Sequence, residues 1–241
     1  GDGVQLNGAI TGGTVNGTSD TGSGIKVDGD TQLDNATLNG TSPDGKGVEI
    51  TANLTGNHGS AIHGDTTNGI GIDAGPNVAL VGGGADDLLA VMGNATGDNG
   101  TGVQLDGNNL LDNTTLTGNA TKGAGVDIDG PLTNKGNTTV DGKATEGDGV
   151  QLSGAITDGT VNGTSDTGSG IKVDGDTQLD NATLNGTSPD GKGVEITANL
   201  TGNHGSAVQG DTTNGSGIDV GQNVALVGGG ADDLLAVMGN A

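Results

Sequence analysis

The chain has 241 residues, of which 53 are glycine, and contains no Phe, Tyr, Trp or Cys, which argues against a packed globular core. Thirty acidic residues against seven lysines, with no arginine, give a formal charge of −23 that would repel nucleic acid and anionic lipid. We therefore expect no nucleic-acid partner, no disulfides and, because no apolar run approaches about 20 residues, no membrane insertion.

A short phrase, Gly3-Val4-Gln5-Leu6-Asn7-Gly8, recurs along the whole chain. Its period-two alternation sends Val4 and Leu6 to one face and Gln5 and Asn7 to the other, which predicts a short strand. Variants of the phrase begin at Gly24, Gly47, Gly71, Gly102, Gly125, Gly149, Gly170, Gly193 and Gly217. The starts lie 21–24 residues apart except for one spacing of 31, and such a period is typical of a solenoid. Disorder is the alternative, but a disordered chain would not keep apolar pairs in register for ten periods.

The repeated phrase supplies columns of aliphatic side chains that we expect to point inward. The first column holds Val4, Ile25, Val48, Ile72, Val103, Val126, Val150, Ile171, Val194 and Ile218. The second holds Leu6, Val27, Ile50, Ala74, Leu105, Ile128, Leu152, Val173, Ile196 and Val220. A third holds Ile10, Leu33, Leu54, Val78, Leu110, Leu132, Ile156, Leu179, Leu200 and Val224, and a fourth Val15, Leu38, Ile62, Leu116, Val140, Val161, Leu184 and Val208. Three short strands per turn predict an all-β parallel β-helix of about ten turns, each strand pairing with its counterpart one turn away at about 4.8 Å.

A longer repeat is superimposed on the short one. Residues 1–95 recur as 147–241 with seven changes: Asn7/Ser153, Gly12/Asp158, Ile62/Val208, His63/Gln209, Ile70/Ser216, Ala74/Val220 and Pro76/Gln222. The residues between the copies contain two further turns of the pattern, so we predict one continuous domain over residues 1–241. Residue 1 begins in mid-pattern, as expected for an excised piece of a longer protein.

The 31-residue spacing comes from an insertion at Gly82 to Met92, repeated at Gly228 to Met238. We expect Leu88 to Met92 to form an extra strand against the rod, with one helical turn as the alternative. Gly82 to Leu89, and its counterpart Gly228 to Leu235, resemble a calcium-binding nonapeptide. That calcium site needs consecutive nonapeptides, however, and each copy here stands alone, so we predict no metal and no cofactor.

Catalysis is not expected, because nearly every polar constellation occurs twice whereas a catalytic site normally occurs once. His63 becomes Gln209 in the second copy, while His58 and His204 occupy equivalent positions near a glycine corner and are interpreted as solvated turn residues. We predict that the chain is not an enzyme.

Two sets of outward residues are candidates for surface function. Thr-x-Asn triplets such as Thr14-Val15-Asn16 and Thr37-Leu38-Asn39 resemble the arrays of some ice-binding β-helices, but Ala61-Ile62-His63 interrupts the series. Four sequon asparagines in this outward position are candidate glycosylation sites: Asn16, Asn39, Asn162 and Asn185. Lys26/Glu49 and Lys172/Glu195 are expected to form exposed ion pairs between adjacent turns.

The Gly-Val-x-Leu-x-Gly and Gly-Thr-Val-Asn-Gly-Thr phrases, in turns of 21–24 residues without Cys, resemble the repeat region of filamentous-haemagglutinin-type exoproteins. The resemblance implies a right-handed β-helix in a bacterial two-partner secreted adhesin, located outside the cell or on its surface. Some members of that family are glycosylated on asparagine, which is why the four outward sequons are named as candidates. No binding residue transfers, because the family's amino-terminal secretion motifs do not occur in this segment.

The resulting hypothesis is a structural shaft that presents a binding region for attachment to host cells. The alternative is that the segment itself binds a host glycan or protein receptor, or ice, through its Thr/Asn faces. Both ends of the pattern leave strand edges uncovered, so we also expect end-to-end self-association.

Overall fold

A computed structural model describes residues 1–230 and 233–241, and this part of the chain consists of parallel strands without a helix. The strands are β1 (Val4–Thr18), β2 (Ser23–Ser42), β3 (Lys46–Ile50), β4 (Leu54–Asn57), β5 (Ala61–Thr66), β6 (Ile70–Ala74), β7 (Ala79–Gly82), β8 (Leu89–Ala95), β9 (Thr101–Asp106), β10 (Asn109–Asp112), β11 (Thr114–Ala120), β12 (Val126–Asp129), β13 (Leu132–Lys135), β14 (Thr139–Ala144), β15 (Val150–Ser153), β16 (Ala155–Ser165), β17 (Ser169–Val173), β18 (Thr177–Ser188), β19 (Lys192–Ile196), β20 (Leu200–Asn203), β21 (Ala207–Thr212), β22 (Ser216–Val220), β23 (Leu226–Gly228) and β24 (Ala236–Asn240). The predicted all-β class is confirmed.

The strands stack as rungs of a solenoid with three faces. We number the rungs 1 to 10: residues 3–18, 24–41, 47–65, 71–94, 102–119, 125–143, 149–164, 170–187, 193–211 and 217–240. Nine turn-to-turn steps connect them, giving about nine full turns of the predicted right-handed parallel β-helix. Crossovers between parallel strands of one sheet are right-handed in nearly all proteins, which agrees with this hand.

Each rung pairs in register with its neighbours on all three faces. On the first face Val4 pairs with Ile25, and the same register runs through β12 and β15, where Val126 pairs with Val150. Since β12 belongs to the middle segment and β15 to the second copy, backbone pairing passes from one to the other without a break.

The narrow interior is filled by aliphatic side chains. The first two columns are at most 1% exposed at Ile25, Val27, Val48, Ile50, Val103, Leu105, Val126, Ile128, Val150 and Leu152. In rung 1, Val4 and Leu6 are only partly buried. In rung 10, Val220 is 40% exposed. The difference reflects position, because a terminal rung has a neighbour on one side only.

Two columns of glycine close the corner where the third face meets the first. A Cβ added to Gly40 would lie 2.0 Å from the carbonyl oxygen of Gly47, closer than any side chain permits. The same approach recurs at Gly118, where the added Cβ would lie 1.9 Å from the oxygen of Gly125. Backbone therefore packs directly on backbone at this corner. One glycine is required where the third face ends, and another where the next first face begins.

Buried hydroxyl groups stabilise the connection between third and first faces. Ser42 Oγ donates a hydrogen bond to the carbonyl of Gly22 in the previous turn (2.8 Å) and accepts one from the amide of Gly45 (3.1 Å). The equivalent Ser188 makes the same two contacts in the second copy. One hydroxyl group thus accepts a hydrogen bond within its own corner and donates another to the previous turn of the solenoid.

The second face differs from the prediction for the third column. Leu54 is paired with Leu80, and Leu80 with Leu111, so Val78 and Leu110 are not the column members. Leu226 likewise replaces Val224 in rung 10 by pairing with Leu200. Leu80 and Leu226 each lie two residues after the predicted member, and a shift of two keeps the same alternate side chains inward. Leu111 lies one residue after Leu110, so in rung 5 the second of two adjacent leucines points inward.

The second face also buries polar side chains that the aliphatic pattern did not reveal. Asn109 is 3% exposed, but its Oδ1 accepts from the amide of Val78 (3.0 Å) and its Nδ2 donates to the carbonyl of Asp106 (2.8 Å). Asn134 is 2% exposed and donates to the carbonyl of Asp158, whereas its Oδ1 has no partner in the described part of the chain.

Leu88 to Met92 does not form an extra strand outside the repeat, contrary to the prediction. Strand β8 is the regular third-face strand of rung 4 and pairs with β5 on one side and β11 on the other. Val91 fills the fourth column between Ile62 and Leu116. The inserted element is the preceding loop, which carries an antiparallel bridge between Gly84 and Asp87.

Adjacent residues on β11 provide a test of the inward columns. Leu116 is fully buried between Val91 and Val140, whereas Thr115 points outward between Ala90 and Thr139. Because an unpaired carboxylate would enter the core, we expect Leu116→Asp to lower the free energy of unfolding by about 3–5 kcal/mol.

Thr115→Asp adds the same charge on the outer surface and should change stability by about 0.5 kcal/mol or less. Denaturant or thermal unfolding compares the two variants. Equal destabilisation would contradict the assignment of the inward column.

Candidate functional site

The third face carries three outward columns of side chains in register along the rod. The first column holds Thr14, Thr37, Ala61, Ala90, Thr115, Thr139, Thr160, Thr183, Ala207 and Ala236. The second holds Asn16, Asn39, His63, Met92, Thr117, Asp141, Asn162, Asn185, Gln209 and Met238. The third holds Thr18, Thr41, Asp65, Asn94, Asn119, Lys143, Thr164, Thr187, Asp211 and Asn240. This is the largest regular polar surface of the described rod.

The longest run of threonine in the first column lies on rungs 5 to 8, where every rung has threonine at this position. We call the outward residues of 115–119, 139–143, 160–164 and 183–187 the Thr/Asn patch. At a spacing of about 4.8 Å per step, the patch extends about 14 Å along the rod. Rungs 1 and 2 form a smaller copy of it, and alanines at Ala61 and Ala90 separate the two areas.

Hydrogen bonds between rungs fix the asparagine side chains of this face. Asn39 Nδ2 donates to Asn16 Oδ1 (3.0 Å), and Asn185 Nδ2 donates to Asn162 Oδ1 (3.1 Å). Asn162 in turn donates to Asp141 Oδ1 (2.8 Å). These amide ladders hold the second column in one orientation before any ligand arrives.

The four candidate glycosylation sites all lie on these ladders. Asn16 is exposed, whereas Asn39, Asn162 and Asn185 are half-buried between neighbouring rungs. The three half-buried asparagines use Nδ2, the atom that would carry a glycan, as a hydrogen-bond donor within the face. Glycosylation there would replace one of the two hydrogens on a nitrogen that already donates to the neighbouring rung.

A charged cluster occupies the outward surface of the first face. Lys26 Nζ lies 3.0 Å from Glu49, as the sequence predicted, and Lys46 contacts both Glu49 (2.7 Å) and Asp73. Although burial acts to raise it, hydrogen bonds from Lys46, Lys26 and Ser23 lower the pKa of Glu49 to about 2. Lys46 thus joins rungs 3 and 4, and Lys26 extends the cluster to rung 2.

The second predicted ion pair, Lys172/Glu195, is not the contact that forms. Glu195 pairs with Lys192, which also lies 2.7 Å from Asp219, and Lys172 lies 4.0 Å from Asp148 instead. Lys172 and Glu195 are aligned on adjacent rungs as predicted. The ion pair with Glu195 is formed instead by Lys192, which lies on the same strand.

Carboxylates crowd the same face in the middle of the rod. Asp127 is aligned with Gln104 below and Gln151 above, without a lysine in register. Burial, followed by the nearby charges of Asp174, Asp129 and Asp106, raises the pKa of Asp127 to about 6. At neutral pH Asp127 is still mainly ionised, but its charged form is less favourable in the folded chain than in the unfolded chain.

His58 and His204, which occupy equivalent positions in the two copies, are exposed, and each contacts an aspartate. His58 Nδ1 contacts Asp34 of the previous rung, and His204 Nδ1 contacts Asp180 in the same way. The hydrogen bond and the charge of each aspartate raise the pKa of its histidine. Both histidines adopt a left-handed backbone, φ 55° and 50°, at the corner between second and third faces.

The inserted loop of the first copy acts as a cap for that corner. Asp87 accepts hydrogen bonds from the backbone amides of His58 (2.7 Å) and Gly59 (2.9 Å) through its two carboxylate oxygens. These bonds lower the pKa of Asp87. The sequence analysis predicted no metal site in this segment, and it missed the contact of Asp87 with the corner. The counterpart Gly228 to Leu235 lies partly outside the described residues.

Within residues 1–230 and 233–241, no group of three or more His, Asp or Glu side chains could hold a metal ion. The same residues include no helix that is long and apolar enough to cross a membrane. That the chain is not an enzyme remains a prediction.

Comparison with known proteins adds no identification. No family, curated protein or solved structure matches this chain.

Asp127 provides a test of the electrostatics of the first face. Because its pKa is raised on folding, the neutral form is favoured: the contribution to stability is full below the unfolded pKa of about 3.8 and is lost as the pH rises through about 6. Asp127→Asn should therefore raise the free energy of unfolding at pH 7 by about 1–2 kcal/mol, after allowance for solvent screening.

The gain from Asp127→Asn should vanish near pH 3.5, where both states of the aspartate are largely protonated. Thermal unfolding at the two pH values measures it, with Asp86→Asn, an exposed aspartate of the inserted loop, as the charge-matched control. A stabilisation that is equal for both variants, or equal at both pH values, would contradict the local origin of the effect.

Proposed function

We propose that this chain is a structural shaft from a secreted bacterial surface adhesin, which holds a region for attachment to host cells away from the cell that bears it. The observation that carries the proposal is the unbroken register from rung 1 to rung 10. It runs through the duplicated units and through the segment between them. The phrases shared with filamentous-haemagglutinin-type exoproteins support the extracellular location.

A shaft has to be extended, straight and easy to lengthen, and the rung geometry supplies these properties. Nine steps of about 4.8 Å place rungs 1 and 10 about 43 Å apart. Every interior rung is held on three faces by backbone pairing, so bending requires many hydrogen bonds to deform together. A unit added in register lengthens the rod without changing its cross-section, and residues 1–95 and 147–241 are such units.

The Thr/Asn patch favours a second candidate, in which this segment itself binds a host glycan or protein. Its hydroxyl groups and fixed amides could exchange hydrogen bonds with sugar hydroxyls. Ice is less well matched, because Asp141 and Lys143 interrupt the array in the middle of the patch.

The shaft proposal predicts that length follows rung number. Inserting a further copy of residues 25–170 after Gly170 restores the natural Gly-Ile junction and should add six rungs. The maximum dimension measured by small-angle X-ray scattering should then increase by about 29 Å. An insertion ending at residue 165 removes one corner and serves as the control, which should lose stability at the junction.

Glycan arrays, host-cell binding and thermal hysteresis measured on the 241-residue chain separate the two candidates. A shaft gives no signal in these assays. A clear signal that is lost in Thr160→Lys, within the patch, but retained in Thr14→Lys, outside it, would replace the shaft proposal with the binding one.

A further inference from the structure

Asparagine followed by glycine recurs along the chain, and this dipeptide can react with itself. The backbone nitrogen of the glycine attacks the side-chain amide of the asparagine, and the missing Cβ of glycine leaves that approach unhindered. The eight pairs begin at Asn7, Asn16, Asn39, Asn68, Asn99, Asn162, Asn185 and Asn214. Because the attacking nitrogen has to move, a hydrogen bond from its N–H group slows the reaction.

Five of the eight pairs lie within strands, where parallel pairing restrains the backbone: those at Asn7, Asn16, Asn39, Asn162 and Asn185. On the third face the glycines are aligned with each other between rungs, as Gly17 is with Gly40 and Gly163 with Gly186. The asparagine side chains beside these glycines are also fixed in the amide ladders. Both reacting groups are therefore held in the strands of the third face.

The other three pairs lie at the corner between the third face and the next first face. In two of them a threonine hydroxyl holds the glycine amide. Gly69 donates to Thr66 Oγ1 (2.9 Å), and Gly215 donates to Thr212 Oγ1 (3.0 Å). These contacts repeat the bond between Gly45 and Ser42, so Asn68 and Asn214 each precede a restrained nitrogen.

Rung 4 lacks this hydroxyl group because Ala95 is aligned with Thr66. Gly100 packs against Ala95 as Gly69 packs against Thr66. A Cβ added to Gly100 would lie 2.6 Å from the Cβ of Ala95, and one added to Gly69 would lie 3.0 Å from Thr66 Oγ1. Within residues 1–230 and 233–241, the Gly100 amide donates no hydrogen bond. Asn99, which precedes it, is exposed in the turn.

We propose that Asn99 is a site of spontaneous deamidation, selected from the eight pairs by the absence of a hydroxyl group at Ala95. The Gly100 nitrogen forms a bond to Cγ of Asn99, and its proton leaves with the side-chain NH2 group as ammonia. Water then opens one of the two carbonyl groups of the cyclic imide. The product is aspartate or isoaspartate at residue 99, and the reaction requires no oxidant or enzyme.

The modification changes the charge of a corner that already contains an ion pair. Lys122 Nζ lies 3.0 Å from Asp98 and 3.8 Å from Glu146. A carboxylate at residue 99 would adjoin Asp98 and add to the negative charge near this lysine. Isoaspartate would also route the backbone through the former side chain. Residues 96–100 lie outside the strands, so the rungs keep their pairing. The inference does not rest on the shaft proposal.

Mass spectrometry of the folded 241-residue chain, incubated in mildly alkaline buffer, measures the reaction. Cleavage on the amino side of aspartate separates the three corner asparagines into peptides 65–72, 98–105 and 211–218. Aspartate at residue 99 adds a cleavage site and isoaspartate does not, which distinguishes the two products. We expect Asn99 to react about three- to tenfold faster than Asn68 and Asn214, because releasing either of their glycine amides costs a hydrogen bond. In denaturant the three rates should be similar.

Two variants exchange the local environments. Ala95→Ser supplies the hydroxyl group that Ser42 provides in rung 2, and it should slow Asn99 to the rate of Asn68. Thr66→Val removes a hydroxyl group at nearly constant shape and should accelerate Asn68 to the rate of Asn99. Asn214 is the internal control in both variants, because its corner is unchanged. Circular dichroism melts show that each variant is folded.

Equal rates for Asn68, Asn99 and Asn214 in the folded parent chain would overturn the proposal. So would a rate at Asn99 that Ala95→Ser leaves unchanged, because the hydrogen bond to the glycine amide would then not control the reaction. The second result remains decisive if Thr66→Val does not fold.

Discussion

The structure depends on one constraint, the in-register pairing of each strand with its counterpart one turn away. A single rung buries too few side chains to offset the ordering entropy of its residues, so it is stable only between neighbours. The pairing also brings Gly40 against Gly47 at the corner between third and first faces and stacks Asn39 on Asn16 at the surface. Core columns, glycine corners and amide ladders are all consequences of that register.

The same register decides where charge is tolerated. A residue repeated in every rung meets its own kind at about 4.8 Å, so an acidic chain has to interleave its carboxylates with lysine or with neutral amides. Lys46 does so between Glu49 and Asp73, and glutamines do so on either side of Asp127. Burial and the carboxylates of Asp174, Asp129 and Asp106 still raise the pKa of Asp127, because the neutral glutamines supply no positive charge to offset them.

Sequence reasoning identified the solenoid and its first two columns because period-two alternation and a regular spacing both mark them. It misplaced Val78 because the strand is shifted by two residues from the repeated phrase, and such a shift leaves the alternation unchanged. It misplaced Leu110 because two leucines are adjacent there, and the sequence does not show that the second, Leu111, points inward. It took β8 for an added element because the extra residues were assigned to the strand and not to the loop before it.

The candidate site was harder to predict than the fold. The pairing of His58 with Asp34 could have been found, because the two residues are one period of 24 apart. The cap from Asp87 could not, since a loop outside the repeat has no register to fix its position. The Thr/Asn patch follows from the third-face register, but the register alone does not say whether its hydroxyl groups meet a ligand or only water.

Hydrogen exchange tests most directly whether rungs depend on their neighbours, because the duplication places nearly identical sequences in different surroundings. Rungs 1 and 7 share their sequence apart from Asn7/Ser153 and Gly12/Asp158, and these changes make their peptides distinguishable. Rungs 4 and 10 are distinguished by Ala74/Val220. For dilute chain, rung 7 should exchange much more slowly than rung 1, and rung 4 more slowly than rung 10. Equal exchange within each pair would mean that the rungs are stable on their own, which contradicts this account.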